Sequence, residues 1–170
     1  MTLSIIIAVG LADTQTSWIK GDIYMKVLVK KLHTDSVVPS FGSEYAAGAD
    51  LYAYLDGTDR VAIPPHATLK IGTGVAMAIP CGYYGGLYAR SGLATKSGLA
   101  PANKVGIIDA DYRGEIIVAL HNDSGKPQTV CHGDRIAQLI ISPVPDVTYE
   151  VTAELDDTVR GDGGFGHTGA

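Results

Sequence analysis

Glycine and proline interrupt this sequence so often that they leave little room for a long helix. The 170 residues include 21 glycines and 8 prolines, which are scattered through the whole chain. Both residues weaken helix interiors and favour turns. The runs between them are short, and many are dense in Val and Ile, as is typical of half-buried and core strands. This spacing predicts an all-β fold of short strands, arranged as a sandwich, a barrel or a jelly roll.

The elements can be placed from these runs and from the turn signals between them. One segment, residues 91–98, has the marks of a short helix, because it starts with Ser91, a residue type that caps helices, and ends with Gly98. Turn signals such as residues 64–65 (PP) and 122–125 (NDSG) separate the strands. The predicted strands are residues 27–32, 68–71, 75–79, 85–89, 106–108, 115–120, 129–130, 135–141 and 148–151.

Charge and hydropathy narrow the range of partners. Hydrophobic residues make up 46% of the chain and charged residues 18%, a balance that allows a buried core. The net charge is −5, whereas DNA or an anionic membrane would select for surplus Lys and Arg. We therefore expect neither nucleic acid nor a membrane as a direct partner. A nucleotide can still be held by a few converging cations and backbone amides.

The cysteines and the N-terminal segment indicate in which cellular compartment the protein is expected. Cys81 and Cys131 lie far apart and match no metal-binding spacing, so we expect buried free thiols and a reducing compartment, the cytoplasm or the nucleus. Residues 3–12 form an apolar run that is too short to span a bilayer and lacks the basic segment of a secretion signal. We interpret residues 1–24 as an extension of unknown role on a domain that begins near Met25.

Five polar segments that contain glycine follow one another along the chain. They are residues 47–53 (AGADLYA), 89–93 (ARSGL), 103–114 (NKVGIIDADYRG), 133–140 (GDRIAQLI) and 160–169 (RGDGGFGHTG). In this order and with these gaps, they resemble the five motifs of the trimeric dUTPase family, from about Met25 to the C-terminus. The resemblance implies a distorted jelly-roll or β-barrel domain over residues 25–159 and a flexible C-terminal lid over residues 160–170.

The same resemblance implies an activity and an assembly. It implies hydrolysis of dUTP to dUMP and pyrophosphate, by attack of water on the α-phosphorus. Such an activity limits the incorporation of uracil into DNA and supplies dUMP for dTMP synthesis. The implied assembly is a homotrimer with three sites, each built from more than one subunit, in which the segment from Arg160 onward reaches a neighbouring subunit's site.

Arg90, Ser91 and Gly92 are candidates for binding an anion. A cation, a hydroxyl and a glycine at the start of a short helix can direct N–H groups and a positive dipole end at phosphate. The residues alone also fit a simple N-cap beside a surface charge. The resemblance implies that Arg90 binds the phosphates and that Ser91 contacts the oxygen joining the α and β phosphates, where it stabilises the leaving group. The family usually has proline where this chain has Ala89.

Asp109 is the candidate for activating water. It follows a strand-like run, so a rigid element would present its carboxylate, although a turn aspartate fits the residues too. The resemblance implies that Asp109 holds and deprotonates the attacking water. Asn103 and Gly106 precede it in a predicted hairpin whose amide and backbone groups can pair with uracil. The resemblance places uracil there, with Tyr112 under the deoxyribose, where a 2′-hydroxyl would clash.

The C-terminal segment carries one large apolar side chain, Phe165, in a glycine-rich stretch that cannot form a core. The resemblance implies that Phe165 stacks on uracil and that Arg160, Gly166, His167 and Thr168 close over the β and γ phosphates. The family commonly has serine where this chain has His167, whose imidazole can still donate a hydrogen bond.

Gln138 and Asp50 complete the set of candidate site residues. The resemblance implies that Gln138 reaches the phosphates and that Asp50 belongs to the environment of a metal ion. One carboxylate cannot cage Mg²⁺, so we expect the ion to be bound mainly by the triphosphate, with Asp50 in contact through water at most. We interpret Asp134 and Arg135 as an ion pair within a turn.

Two alternatives stay open at this point. The dCTP deaminases share the fold but need a base, usually a glutamate, near the pyrimidine, whereas this chain has the dUTPase-like residues 107–114 (IIDADYRG) there. The second alternative is a nucleotide-sensing regulator on the same fold. Ser91, Asp109 and Phe165, whose loss would favour a regulator, are all present, and only residues 1–24 are left unexplained.

Overall fold

A computed structural model of the protein describes residues 25–164. These residues form eleven strands and one short helix, and the strands are arranged in three antiparallel sheets. The predicted all-β class with a single short helix is therefore confirmed, although the three sheets do not close into one barrel. Within residues 25–164, no helix has the length and apolar character needed to cross a membrane.

The largest sheet has five strands, and the candidate site residues Asp50, Gly106 and Gln138 lie on them. Its central strand is β11 (Arg135–Pro143), which pairs with one neighbour on each side. The order across this sheet is β2-β3-β11-β6-β8. The four other strands are β2 (Ser40–Phe41), β3 (Ala49–Tyr52), β6 (Tyr83–Tyr88) and β8 (Gly106–Ile108).

The remaining strands form a four-stranded sheet and a separate two-stranded one. In the four-stranded sheet the order is β1-β5-β9-β7, with the long strand β5 paired to β9. The bounds of these strands are β1 (Leu28–Lys31), β5 (Thr68–Ala78), β7 (Leu99–Pro101) and β9 (Glu115–Asn122). The two-stranded sheet pairs β4 (Arg60–Ile63) with β10 (Gln128–Cys131).

One hydrophobic core joins the three sheets. Strand β9 shows the pattern most clearly, since Ile116 and Val118 are buried while Ile117 between them is exposed. Each such Leu, Ile or Val contributes about 1.5–3 kcal/mol when it is fully buried. The core therefore fixes the strand ends from which the candidate site residues project. Its largest fully buried side chains include Leu51, Ile63, Ile71, Leu99, Leu120, Val130 and Ile136.

The two strands predicted at residues 68–71 and 75–79 are one continuous strand with a bulge. The pairing of β5 with β9 shifts between Gly72 and Ala76. Gly74 lies in this bulge with φ 65°, a left-handed conformation that favours glycine. The Glu115 carboxylate accepts a hydrogen bond from Gly74 N at 2.7 Å. The predicted break at Gly72–Gly74 is thus an irregularity within a strand and not a turn.

Most predicted strands are found within a few residues of the expected bounds, and β8 has the bounds that were predicted. Four short strands were not predicted, namely β2, β3, β4 and β7. The strand predicted at residues 148–151 is wrong: Tyr149 is 97% exposed and Val151 99% exposed. No described strand pairs with this segment, which lies beyond the last residue of β11. The expectation of buried thiols is wrong as well, because Cys81, in a turn, and Cys131, at the end of β10, are both exposed.

Asn122 was predicted to begin a turn but is the fully buried last residue of β9, with 0% exposure. Its Nδ2 donates to three carbonyl oxygens, those of Ile63 at 2.9 Å, Pro64 at 3.1 Å and Lys126 at 2.8 Å. Its Oδ1 accepts from the backbone and hydroxyl of Ser124, at 3.0 and 2.7 Å. One side chain thus joins the end of β4 to the loop that follows β9.

Candidate functional site

Helix α1 (Ser91–Ser97) begins directly after strand β6 and presents its first residues to solvent. Arg90 is the N-cap, with extended φ −84° and ψ 125°, and makes no side-chain capping bond. Ser91 is therefore the first helical residue, which corrects the prediction that it caps the helix. A bond from Ala94 N to Arg90 O at 2.9 Å opens the helical ladder, and the N–H groups of residues 91–93 precede it. Gly98 ends the helix in the left-handed conformation, as its glycine predicted.

The side chain of Arg90 is held by a buried carboxylate. Asp50, 4% exposed on β3, accepts from Arg90 Nε at 2.8 Å and from Arg135 Nη1 at 3.2 Å. The predicted ion pair between Asp134 and Arg135 is thus wrong. Asp134 instead accepts from the backbone N–H of Cys131 at 2.7 Å and so closes its own turn. Two guanidinium groups from separate segments thus converge on one carboxylate.

Gln138 lies in the middle of this region, paired across the sheet with Asp50 on β3 and with Tyr88 on β6. It is half-buried, and Gly48 leaves room beside it, since a Cβ at Gly48 would lie 3.2 Å from Gln138 Cβ.

The contact with Tyr84 raises the pKa of Tyr88, with a smaller contribution from burial. Arg90, Arg135 and Asp134 border a shallow cavity of about 250 Å³ here. This end of the sheet, the Arg90 end, is a polar surface with two positioned cations.

A second cluster surrounds Asp109, on the turn that follows β8. Tyr112 N donates to Asp109 O at 3.1 Å, which makes residues 109–112 a tight turn. The Tyr112 ring is 43% exposed and its Oη donates to Glu115 O at 3.0 Å. A Cβ on Gly114 would overlap the Tyr112 ring, so the ring can lie against this backbone only because residue 114 is glycine. Asp109, Tyr112 and Glu115 line a cavity of about 170 Å³ together with Ile107, Ile108 and Ile117.

The segment around Asn103 connects two different sheets, because β7 pairs with β9 whereas β8 pairs with β6. It is therefore a tight crossing and not the simple hairpin that was predicted. Val105 N donates to Asn103 O at 2.7 Å, and Lys104 takes a left-handed φ of 65°. A Cβ on Gly106 would lie 3.1 Å from Asn103 Nδ2, so the amide lies close to this glycine. Asn103 and Asp109 flank the three residues of β8, about 10 Å of extended strand.

Within one chain, Asp109 and Arg90 lie toward opposite ends of the β6/β8 strand pair. In the antiparallel β6/β8 pair, Ile108 lies opposite Gly85 and Gly106 lies opposite Leu87. Asp109 thus leaves this pair at the Gly85 end, whereas Arg90 leaves it beyond Leu87, at the other end. The rise of a strand puts the two residues on the order of 15 Å apart. The chain alone does not bring the water-activating candidate to the phosphate-binding candidates.

The C-terminal segment is described only in part. Arg160 is exposed, and its Nε donates to Gly163 O at 2.8 Å within a local turn. Phe165, Gly166, His167 and Thr168 lie outside the described residues, as do residues 1–24. Residues 144–160 are exposed throughout and carry large apolar side chains, including Val147, Tyr149, Val151, Leu155 and Val159.

The described residues do not provide a cage for a metal ion. Residues 25–164 contain no group of three or more His, Cys, Asp or Glu side chains that could hold one. Both oxygens of Asp50 already accept from guanidinium groups. The predicted water-mediated contact between Asp50 and Mg²⁺ stays a prediction.

Sequence reasoning overlooked two polar residues of these clusters. Arg135 was assigned to a turn, and the sequence held no signal for its place, because residues three apart on a regular strand point to opposite faces. The register shift between Arg135 and Ala137 is what lets its side chain reach Asp50. Glu115 was not considered, although a carboxylate that opens an Ile- and Val-rich strand directly after residues 109–114 was an available signal.

Known proteins that are similar in sequence and solved structures that are similar in fold both include dUTPases. The family model of dUTPases matches residues 34–169. The deoxyuridine 5'-triphosphate nucleotidohydrolase of Syntrophotalea carbinolica is 47% identical over 143 residues, covering 84% of this chain and 96% of the relative. The enzyme of the same name from Corynebacterium glutamicum is 47% identical over 144 residues, covering 84% of this chain and 94% of the relative.

Solved structures with a similar fold include phage dUTPases. The Staphylococcus bacteriophage 80alpha dUTPase with dUPNHPP superimposes with a TM-score of 0.73 at 27% identity, covering 85% of this chain and 99% of that one. A mutant dUTPase from phage phi11 of S. aureus, with details for the coordination of a structural Mg(II) ion, has a TM-score of 0.68 at 24% identity and covers 78% of this chain and 100% of that one.

Proposed function

This chain belongs to the dUTPase family, and on that premise we propose that it hydrolyses dUTP to dUMP and pyrophosphate by attack of water on the α-phosphorus. The observation that carries the proposal is the pair of clusters described above, in a chain nearly half identical to enzymes of that name. One cluster offers positioned cations and helix N–H groups, and the other offers a carboxylate beside an exposed aromatic ring. The family assignment favours this activity over a dCTP deaminase.

The Arg90 end is proposed to bind the phosphate chain. Because Asp50 holds the Arg90 guanidinium from behind, little side-chain entropy is lost when it meets phosphate. Ser91 and Gly92 are exposed at the start of α1, and their N–H groups are proposed as donors to phosphate. Gln138, opposite Asp50 and Tyr88 in the sheet, is proposed as a further, neutral donor. The Ser91 hydroxyl is proposed to donate to the oxygen that joins the α and β phosphates, where negative charge develops as pyrophosphate leaves.

Asp109 is proposed to be the general base. The turn at residues 109–112 is closed by a backbone hydrogen bond and fixed by strand β8, so the carboxylate has a defined position. From that position it accepts a proton from a water molecule as the water oxygen bonds to the α-phosphorus. A general base contributes about 10²–10⁴ in rate, which sets the expected loss when Asp109 is changed to Asn.

The nucleoside is proposed to lie along β8, between the Asn103 crossing and the Asp109 turn. Asn103 and the backbone near Gly106 offer donors and acceptors that complement uracil. Tyr112 is proposed to form the floor under the deoxyribose, and its flat ring leaves no space for a 2′-hydroxyl. Exclusion by a clash is the proposed basis on which UTP is rejected.

The separation of Asp109 from Arg90 supports a site that is completed by another copy of the chain. We propose a homotrimer in which the Asp109 cluster of one subunit faces the Arg90 end of another. The exposed apolar side chains of residues 144–160 also support an assembly, since monomers rarely expose so many in one segment. This segment is proposed to carry the lid to a neighbouring site, where Arg160, Gly166, His167 and Thr168 close over the phosphates and Phe165 stacks on uracil.

Mg²⁺ is proposed to arrive with the triphosphate, whose charge it neutralises. In the cell, the proposed reaction limits uracil incorporation into DNA and supplies dUMP for dTMP synthesis, and a reducing compartment remains our prediction for its location.

The test is pyrophosphate release by the full chain from dUTP, compared with UTP, dCTP and dTTP in the presence of Mg²⁺. We expect rapid release from dUTP and at least about 10²-fold slower release from UTP. Ammonia release from dCTP would instead identify a deaminase. Turnover of UTP at the rate of dUTP would contradict the role of Tyr112, even if hydrolysis itself were observed.

A further inference from the structure

Glu115 is a half-buried carboxylate that none of the proposed steps uses. Its Oε1 accepts a hydrogen bond from the backbone N–H of Gly74, 2.7 Å away in the bulge of β5. Gly74 is buried and left-handed, and it lies where the pairing of β5 with β9 shifts, so the carboxylate satisfies an N–H at an irregular part of the strand. Gly72 leaves the space that the carboxylate fills, because a Cβ there would lie 2.5 Å from Oε1. The side chain of Glu115 is thus built into the irregular part of β5.

The backbone of the same residue holds Tyr112. Tyr112 Oη donates to the Glu115 carbonyl at 3.0 Å, and the ring lies against Gly114. Glu115 is the first residue of β9 and lies opposite Ala76, directly after the bulge. The carboxylate therefore anchors the backbone whose carbonyl orients the aromatic ring. Glu115 joins the Tyr112 floor of the cavity to a strand of the core sheet.

We infer that Glu115 is a positioning residue for substrate specificity. It fixes the Tyr112 ring at the distance from the bound sugar that admits deoxyribose and excludes ribose. The inference rests on the proposed dUTP hydrolysis and on the proposed place of Tyr112 under the sugar. Without the bond to Gly74, the start of β9 is free to shift relative to β5, and the ring moves with it. A small displacement of a positioned group is enough to change selectivity.

The test compares three variants of the full chain. Glu115→Ala removes the acceptor, Glu115→Asp keeps the charge but is too short to reach Gly74 N, and Glu115→Gln keeps an acceptor at the same distance. We expect the first two to lower the ratio of kcat/KM for dUTP to kcat/KM for UTP by about tenfold, because a displaced Tyr112 ring no longer excludes the 2′-hydroxyl of UTP. We expect Glu115→Gln to keep this ratio within about twofold, because the geometry is preserved.

A loss of stability alone would not move this ratio. Ile63→Val, a change in the core at the far two-stranded sheet, serves as the destabilised control and should lower the thermal midpoint without altering the ratio. The inference is overturned if Glu115→Asp discriminates dUTP from UTP as well as the wild type does. The same result for a folded Glu115→Ala chain would overturn it too. It is also overturned if Glu115→Gln lowers the ratio of kcat/KM for dUTP to kcat/KM for UTP as much as Glu115→Asp does. A wild-type chain that does not release pyrophosphate from dUTP would contradict the proposed function itself, whatever the variants do.

Discussion

Arg90 Nε donates a hydrogen bond to Asp50 Oδ1 across 2.8 Å, and this bond ties the residue that opens helix α1 to strand β3. The carboxylate is 4% exposed, and its second oxygen accepts from Arg135, whose side chain is 51% exposed. Both oxygens of this buried carboxylate therefore have a charged partner. Asp50 thus acts as the support that aims Arg90.

Changing Asp50 to Asn should weaken both phosphate binding and the fold. The amide keeps the shape but loses the charge-assisted bonds to both arginines, so Arg90 is no longer held in one position. We expect KM for dUTP to rise by about tenfold and the free energy of unfolding to fall by about 1–3 kcal/mol. Steady-state kinetics and urea unfolding measure the two effects. Asp59→Asn, at an exposed residue, is the charge-matched control and should change neither.

Gly114 should be intolerant of a side chain because the Tyr112 ring occupies the place of its Cβ. Gly114→Ala is expected to push the ring off the backbone and to lower kcat/KM for dUTP by about tenfold or more. Gly125→Ala is the matched control, since a Cβ at Gly125 meets nothing within 4 Å. Equal activities of the two variants would show that the ring position is unimportant for turnover.

Asn122 should be among the most sensitive positions for stability. Its side chain makes five hydrogen bonds in a place that water does not reach. Asn122→Ala leaves buried carbonyl groups without a donor, and we expect a loss of about 3 kcal/mol or more in the free energy of unfolding. Ser124→Ala removes only the hydroxyl partner and should cost about 1 kcal/mol in the same urea titration. A smaller loss for Asn122→Ala than for Ser124→Ala would contradict this assignment.

Tyr54 should make stability depend on pH in the alkaline range. Its ring stacks on His33 with a centroid distance of 4.1 Å, and burial, followed by the nearby Asp35 and Asp56, raises its pKa from the ordinary value of 10.0. Because the folded chain binds this proton more tightly than the unfolded chain, the stabilisation is complete below the unfolded pKa and is lost as the pH rises through the folded pKa. Thermal midpoints above pH 10 should therefore fall more steeply for the wild type than for Tyr54→Phe. Tyr149→Phe, at an exposed position, should follow the wild type, and parallel curves for all three would refute the prediction.

Local pattern was enough to predict the strands that form the core, but not the short strands or the long-range contacts. Strands such as β9 and β11 are marked by their own Ile and Val residues, whereas β2 and β7 have two and three residues and depend on their neighbours for pairing. The strand expected at residues 148–151 has the composition of a strand but no partner among the strands of residues 25–164. Composition cannot reveal whether a pairing edge is available.

The candidate site residues could likewise be predicted from the sequence, whereas their long-range contacts could not. The residue types of the five segments led to Arg90, Ser91, Asp109 and Tyr112 through a family resemblance, and the comparisons confirm the family. The partner of Arg90 could not be predicted, because Asp50 lies 40 residues away and Arg135 lies 85 residues from Asp50. The roles of Asn122 and Glu115 depend on bonds to strands β4 and β5 that only the folded chain brings near.

If Asp109 of one chain works with Arg90 and Ser91 of another, two inactive variants should restore activity when they are mixed. Asp109→Asn and Ser91→Ala chains would be purified separately, unfolded and refolded together, and assayed for pyrophosphate release from dUTP. Native mass spectrometry would verify that mixed assemblies form. If each site takes one residue from each of two subunits, random mixing in a trimer restores about a quarter of the wild-type activity. If mixed assemblies form and activity stays at the level of the separate variants, the shared site proposed here is wrong.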